Sequence, residues 1–414
     1  MTLLRMQVDI SVTGPVHAIF KSLPAAVDMP VSRRTSAMRA IIGLLLIVVL
    51  VGCSGATDID IRPSRLEPIR SEVEIHPVWF KQAQSDIINN NSYLRPVAVD
   101  ERLYIAGQDG SIRSLDAANG KRYWKVDTGE SLSGGLGAAD DLLLVGTRDG
   151  ELLALSRGDG KLVWRSRLSS EMLSSPVAAG DVVVARTIDG KLYGLNKDDG
   201  QRLWVYETTV PTLTLRGSSR PVIADGRVLA GLSNGKVVAV SLTDGKFLWE
   251  VTVAVPEGRS ELERLVDIDG DPVLSDDIFY TASYHGRLVA INTSTGRLLW
   301  SRDLSSHSGL AMDDQFLYIS DNESTIWALD RFNGAIIWKQ DKLQLRSLTT
   351  PVVYRDYLVV GDFDGYLHWI NRHNGEIVAR RKVSDESVFV PAVVMDDILY
   401  VTDQLGMLIA LRGD

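Results

Sequence analysis

Apolar residues in this chain recur in short runs, each ended by a turn, and the whole pattern repeats. The stretches YIAGQDGSIRSLDAANGKRYWKV (104–126), LLVGTRDGELLALSRGDGKLVWRS (143–166) and VVARTIDGKLYGLNKDDGQRLWVY (183–206) each show one period. Three more follow at 229–251, 280–302 and 318–340. Typically an apolar run closes on Asp-Gly or Asn-Gly, which supplies the positive φ of a tight hairpin. An alternating strand such as Leu152-Leu153-Ala154-Leu155 comes next, then a turn ending at a glycine such as Gly160, then a strand carrying Trp164. Another short strand precedes many units, as in SSPVAAGD (174–181) and TTPVVYRD (349–356), which makes four strands per unit.

The tryptophans at 124, 164, 204, 249, 300 and 338 are 40, 40, 45, 51 and 38 residues apart. Four-stranded repeats of roughly 40–45 residues are the signature of propeller blades. A seventh unit, 359–381, keeps the turns but has Ala379 in the Trp position, and an eighth, YVTDQLGMLIALRGD, stops halfway. Three C-terminal strands near 389–394, 398–402 and 407–412 lack a Trp strand, whereas VEIHPVWFKQ (73–82) offers Trp79 without preceding strands. Joining the two completes a blade from both chain ends and removes free edges that a β protein must otherwise protect. The expectation is an all-β, eight-bladed propeller over 73–414, with the tryptophans packing between neighbouring blades.

The one long apolar run, AIIGLLLIVVLVG (40–52), is too short to span a bilayer comfortably as a helix. Arg33, Arg34 and Arg39 precede it, and it closes on Leu50-Val51-Gly52-Cys53, where Cys53 is the single cysteine. A basic region, a short apolar core and small residues at the cut describe a secretory signal. The four closing residues resemble a bacterial lipobox, which implies a diacylglyceryl group on Cys53; a plain signal peptide with an incidental cysteine is the alternative. Residues 1–52 are then leader, 1–28 reads as a start placed too early, and 53–72, with Pro63 and Pro68, reads as a flexible tether. Ser54, where aspartate commonly retains lipoproteins in the inner membrane, points to the outer membrane.

Leader removal takes five basic and two acidic residues from totals of 44 and 53, leaving a net charge of -12. That balance argues against nucleic acid as a partner. The chemistry of catalysis is also thin. The repeats resemble those of pyrroloquinoline-quinone (PQQ) dehydrogenases, which implies calcium and a catalytic Asp. A single cysteine, however, cannot form the vicinal disulfide many of those enzymes carry, and no long insertion builds a lid. Asp109, Asp149, Asp189 and Asp364 precede turn glycines and suit turn geometry. The six histidines show no metal-ligand spacing; His368 and His373 read as packed or solvated. No catalytic residue, cofactor or metal is expected.

Function is then sought where the repeat is interrupted, because a propeller is a scaffold whose loops act. The two longest Trp-to-Trp spacings contain VPTLTLRGSSRP (210–221) and VPEGRSELERLVDIDGDP (255–272). Both join a Trp strand to the next inner strand, so they emerge on one end of the propeller, one blade apart. Leu213 and Leu215 beside Arg216, facing Asp267 and Asp269, would give an apolar centre with a charged rim. Leu262 and Leu265 fall on one side of a short helical turn. The alternative for Leu213 and Leu215 is a local staple between two blades.

At these residues the chain resembles the BamB family, lipoproteins of the β-barrel assembly machinery of the outer membrane. The resemblance rests on the lipobox, the eight-unit repeat, Leu213-Thr-Leu215-Arg216-Gly217, Leu265-Val-Asp267-Ile-Asp269 and GYLHWIN (365–371), and it covers 53–414. It implies a monomer that binds the POTRA domains of BamA, sits among the other assembly lipoproteins and meets nascent outer membrane proteins. It also implies that Leu213, Leu215, Arg216, Asp267 and Asp269 contact that partner.

Overall fold

The computed structural model describes residues 62–83, 94–217 and 219–414. The expected leader, the lipobox with Cys53 and the early start all lie outside these residues. The described residues hold thirty-two strands in eight four-stranded antiparallel sheets and no helix. Blades 1 to 7 span 97–127, 137–167, 177–207, 222–252, 273–303, 310–340 and 352–382. Blade 8 takes Val393–Met395, Ile398–Thr402 and Met407–Gly413 from one end of the chain and Ile75–Gln82 from the other. In it Trp79 stands opposite Ala410, the closure expected from the repeat.

The Gly-x-x-x-Trp pattern makes the seam between blades. Each indole donates its N–H to a backbone carbonyl just beyond the third strand of the next blade: Trp79 to Ala117 at 2.9 Å, Trp164 to Lys197 at 2.7 Å, Trp204 to Leu242 at 2.8 Å. Trp124, Trp249, Trp300 and Trp338 do the same to Arg157, Thr293, Arg331 and Arg372. The face of each ring is covered by the glycine that ends the next blade's turn, Gly120 on Trp79 and Gly200 on Trp164. Those glycines have positive φ and no room for a Cβ, so the seam needs both properties of glycine at once. The tryptophans are packing residues.

Blade 7 keeps its core volume by a different route. In the other seven blades a small residue on the third strand faces the Trp of the fourth: Ser114, Ala154, Gly194, Ala239, Ala290, Ala328 and Ala410. In blade 7 the third strand carries Trp369, fully buried, and the fourth carries Ala379 opposite it. The large and small partners have changed strands, which conserves volume at a position where interiors tolerate little change.

His368, next to Trp369, is also fully buried. Its Nε2 donates to Asp362 Oδ2 at 2.9 Å, while its Nδ1 accepts from Arg380 Nε at 3.1 Å. Burial first, and then the nearby arginines, hold the imidazole below its usual range and so neutral. Asp362 also accepts from Arg346 Nε at 2.7 Å. Burial alone would raise the Asp362 carboxyl, but His368 and Arg346 outweigh it and hold it low. Between Arg62 and Glu72 the chain forms no strand, yet it is tied by hydrogen bonds to blades 6 and 7.

The connectors between blades share one end of the propeller. Thr128, Leu168, Thr208, Val253 and Val383 each donate a backbone N–H to the glycine carbonyl that closes the hairpin between their own blade's second and third strands. This end is the connector face. The opposite face carries the turns that hold Gly120, Gly200 and their equivalents.

Candidate docking site on the connector face

The connector from blade 3 to blade 4 presents its leucines unequally. Leu213 is 39% exposed, and Leu215 is half-buried. The N–H of Leu215 donates to Asp267 Oδ1 at 3.3 Å, which latches this connector to the one after blade 4. Arg216 takes a left-handed backbone, φ 55°, and its guanidinium pairs with Glu171 at 2.6 Å. Glu171 belongs to the connector before blade 3, so the arginine expected to face the two aspartates makes an ion pair across to that connector. Gly217 lies so close to the Asp269 carboxylate that any side chain there would collide with it.

The second connector is built around a small turn. Ser260 Oγ accepts from the Glu263 N–H at 3.2 Å, and Glu263 Oε2 accepts from the N–H groups of Arg259 and Ser260 at 2.6 and 3.2 Å. This reciprocal Ser-x-x-Glu arrangement is a capping box. The hydrogen bond from the Arg259 N–H, then that from Ser260, hold the Glu263 carboxyl below its usual range. The turn separates the two leucines expected on one side: Leu262 is 67% exposed, whereas Leu265 is buried.

Asp267 and Asp269 sit deeper than their neighbours. Asp267 is fully buried; burial pushes its carboxyl up to about 6, with the Leu215 N–H opposing. Asp269 is half-buried and pushed up to about 7, first by its surroundings and then by Asp267, with Arg186 opposing. One oxygen of each carboxylate, Asp267 Oδ2 and Asp269 Oδ1, is enclosed without a hydrogen-bond partner. Leu215, Gly217 and Asp269 line a cavity of about 500 Å³ together with residues of several other blades. Asp271 closes this side by accepting from Arg95 at 2.7 Å and from the Arg220 N–H at 2.9 Å. Arg95 leads into blade 1 and Asp271 into blade 5.

Three residues of this arrangement were not anticipated: Glu171, Arg186 and Asp271. Arg186 had a readable signal. It ends the second strand of blade 3, where the other seven blades have Ala106, Gly146, Gly231, Ala282, Ser320, Gly361 and Thr402. A lone arginine among small residues marks a buried cation with an acidic counterpart. Arg186 is buried and donates to the carbonyl and hydroxyl of Ser219, in the first connector, at 3.4 Å each.

The family model described as outer membrane protein assembly factor BamB matches residues 108–340. The protein of that name from Alkalilimnicola ehrlichii is 47% identical over 374 residues, 90% of this chain and 97% of its own length. The one from Pseudomonas aeruginosa is 42% identical over 89% of this chain and 97% of its own. Among solved structures, BamB from Moraxella catarrhalis superposes with a TM-score of 0.74 at 27% identity, covering 82% of this chain and 100% of that one. The quinohemoprotein alcohol dehydrogenase of Comamonas testosteroni also superposes, with a TM-score of 0.65, but at 12% identity over 81% of this chain and 76% of its own. That likeness reflects the propeller and carries no chemistry with it. By sequence, repeat and propeller, the chain belongs to the family of outer membrane protein assembly factor BamB.

Proposed function

We propose that the protein is a non-catalytic scaffold of the β-barrel assembly machinery, held by a lipid on Cys53 at the periplasmic face of the outer membrane. It docks the POTRA domains of BamA through the connectors flanking blade 4. The observation that carries this reading is the presentation of apolar residues on a braced surface. Leu213 and Leu262 project from connectors that Asp267, Glu171 and the Ser260–Glu263 box hold in place. A braced apolar anchor loses little entropy on binding, which is how small interfaces gain affinity. Leu215, half-buried at the base, supports Leu213, and Asp267 and Asp269 shape the connectors from beneath.

The test replaces Leu213, Leu215 and Arg216 together and co-purifies BamA. Loss of BamA with the propeller still folded is expected; undiminished co-purification removes these residues from the site. The enzyme alternative has its own test. Dye-linked alcohol oxidation after reconstitution with PQQ and calcium would overturn the scaffold reading.

A second reading concerns nascent outer membrane proteins and the rim of the propeller. The outermost strands carry exposed large apolar residues, among them Phe80 at 74% and Phe247 at 55%. Outer strands with such side chains suit pairing with an incoming strand. Crosslinking from Phe80 to an unfolded barrel protein, and none from the connector face, would favour this rim contact.

A further inference from the structure

We infer that residues 62–73 form a strap across blade 7 that makes the membrane anchor leave the propeller on the connector face, beside the docking connectors. This rests on the lipid-bearing Cys53 of the proposed function.

The contacts run from one face to the other. Ser64 donates its N–H to the Gln344 carbonyl at 2.9 Å, and its own carbonyl accepts from Arg346 Nη1 at 3.1 Å. Gln344 and Arg346 lie in the connector from blade 6 to blade 7, on the connector face. Further on, the Glu67 carbonyl accepts from Arg380 Nη1 at 2.9 Å, and the Glu72 N–H donates to the Val378 carbonyl at 2.9 Å. Val378 is near the start of its strand, Ile377–Lys382, at the opposite face. Leu66 packs against the core between blades 6 and 7, and Val73 is buried in the core between blades 7 and 8.

The residue that precedes the Trp position measures what the strap covers. Val78, Tyr123, Val163, Leu203, Leu248, Leu299 and Ile337 are 40–51% exposed in the other seven blades, whereas Val378 is 5% exposed. Residues of blade 7 fix both arginines that grip the strap's carbonyls. Arg346 is fixed by Asp362 at 2.7 Å and Asp364 at 2.6 Å, and Arg380 by His368. The buried charged network beside GYLHWIN thus positions the arginines that hold the strap.

The consequence is geometric. With the strap docked, ten residues separate Cys53 from Ser64, eleven chain steps that reach at most about 40 Å. Without residues 63–72, the first fixed residue is Val73, next to the strand that starts at Ile75 at the opposite face. The strap therefore decides which face the lipid draws toward the membrane.

The experiment uses the full lipidated protein in phosphatidylethanolamine–phosphatidylglycerol vesicles carrying an acceptor dye on a fraction of the headgroups. Because lipidation occupies the single native cysteine, one added thiol labels one site. Glu257→Cys reports from the connector face and Asp198→Cys from the opposite face; both positions are exposed. Energy transfer more than twofold greater from position 257 is expected, and equal transfer from the two positions overturns the strap. Replacing 63–72 by a Gly-Ser segment of the same length leaves the blade 7 interior intact and should abolish the asymmetry. Persistence of the asymmetry in that variant also overturns the inference. Protein that fails to float with the vesicles refutes the lipid anchor itself, an outcome distinct from floating with equal transfer.

Discussion

The repeat is broken in two places, within blade 7 and in the pair of connectors flanking blade 4, and the two breaks are resolved differently. In blade 7 the departures in volume and charge are answered inside the protein, though the buried Trp369 indole N–H is left without a hydrogen-bond partner. Trp369 faces Ala379, and the buried Arg346–Asp362 ion pair is completed by a hydrogen bond from neutral His368. In the connectors the apolar departures are left open toward the surface and the acidic ones are left partly unpaired beneath it. Leu213 and Leu262 stay exposed, and Asp267 and Asp269 each keep a carboxylate oxygen without a partner. The first break serves the architecture, while the second is where docking is proposed.

Substitutions in the two regions put this contrast at risk. The largest effect is expected in blade 7, where Trp369→Ala should cost about 3–5 kcal/mol of stability in denaturant unfolding. Adding Ala379→Trp should restore at least half, and a double variant no better than the single would refute the volume exchange. Arg346→Met strands Asp362 in the interior, and a loss in the same range of about 3–5 kcal/mol is expected.

The two regions should also respond to pH with opposite signs. Asp269 is raised from an unfolded value of about 3.9 to about 7. The folded state then binds the extra proton, so this contribution is full below about pH 4 and lost as pH rises to about 7. Asp269→Asn should therefore stabilise the isolated protein at pH 8 by about 1–3 kcal/mol and flatten that slope. His368, held low, works the other way: its contribution is full above an unfolded value of about 6.5 and is lost as pH falls below it. His368→Gln should reduce the acid-side slope and leave the alkaline side unchanged. The smallest effect is expected from Ser260→Ala, which removes one cap at a cost of about 1 kcal/mol or less. It should show as faster proteolysis near Leu262 with the global unfolding midpoint nearly unmoved.

Most of the architecture was legible because propeller physics is periodic. The Gly-x-x-x-Trp spacing reports a seam in which an indole meets a glycine turn, and even the closure of Ile75–Gln82 on Met407–Gly413 followed from it. What escaped reading was aperiodic. The strap is held by backbone carbonyls gripped by Arg346 and Arg380, 282 and 313 residues away, so its own sequence shows no period. The Arg216–Glu171 pair likewise joins two connectors, and nothing local to Arg216 forecasts its left-handed backbone. The connector leucines and aspartates could be placed on one face from sequence. Their unequal burial follows from the capping box at 260–263 and the Asp267 latch, which are tertiary.

The most direct measurement is the affinity of purified POTRA domains for three forms of the propeller: wild type, Leu213→Ala with Leu215→Ala, and Trp369→Ala with Ala379→Trp. Calorimetry at one salt concentration gives Kd, and denaturant unfolding of the same samples gives stability. The connector variant should bind at least about tenfold more weakly, equal to about 1.4 kcal/mol, with its unfolding midpoint unchanged. The blade 7 variant should bind as the wild type does. Wild-type affinity in a folded connector variant would contradict the assignment of the open break to docking.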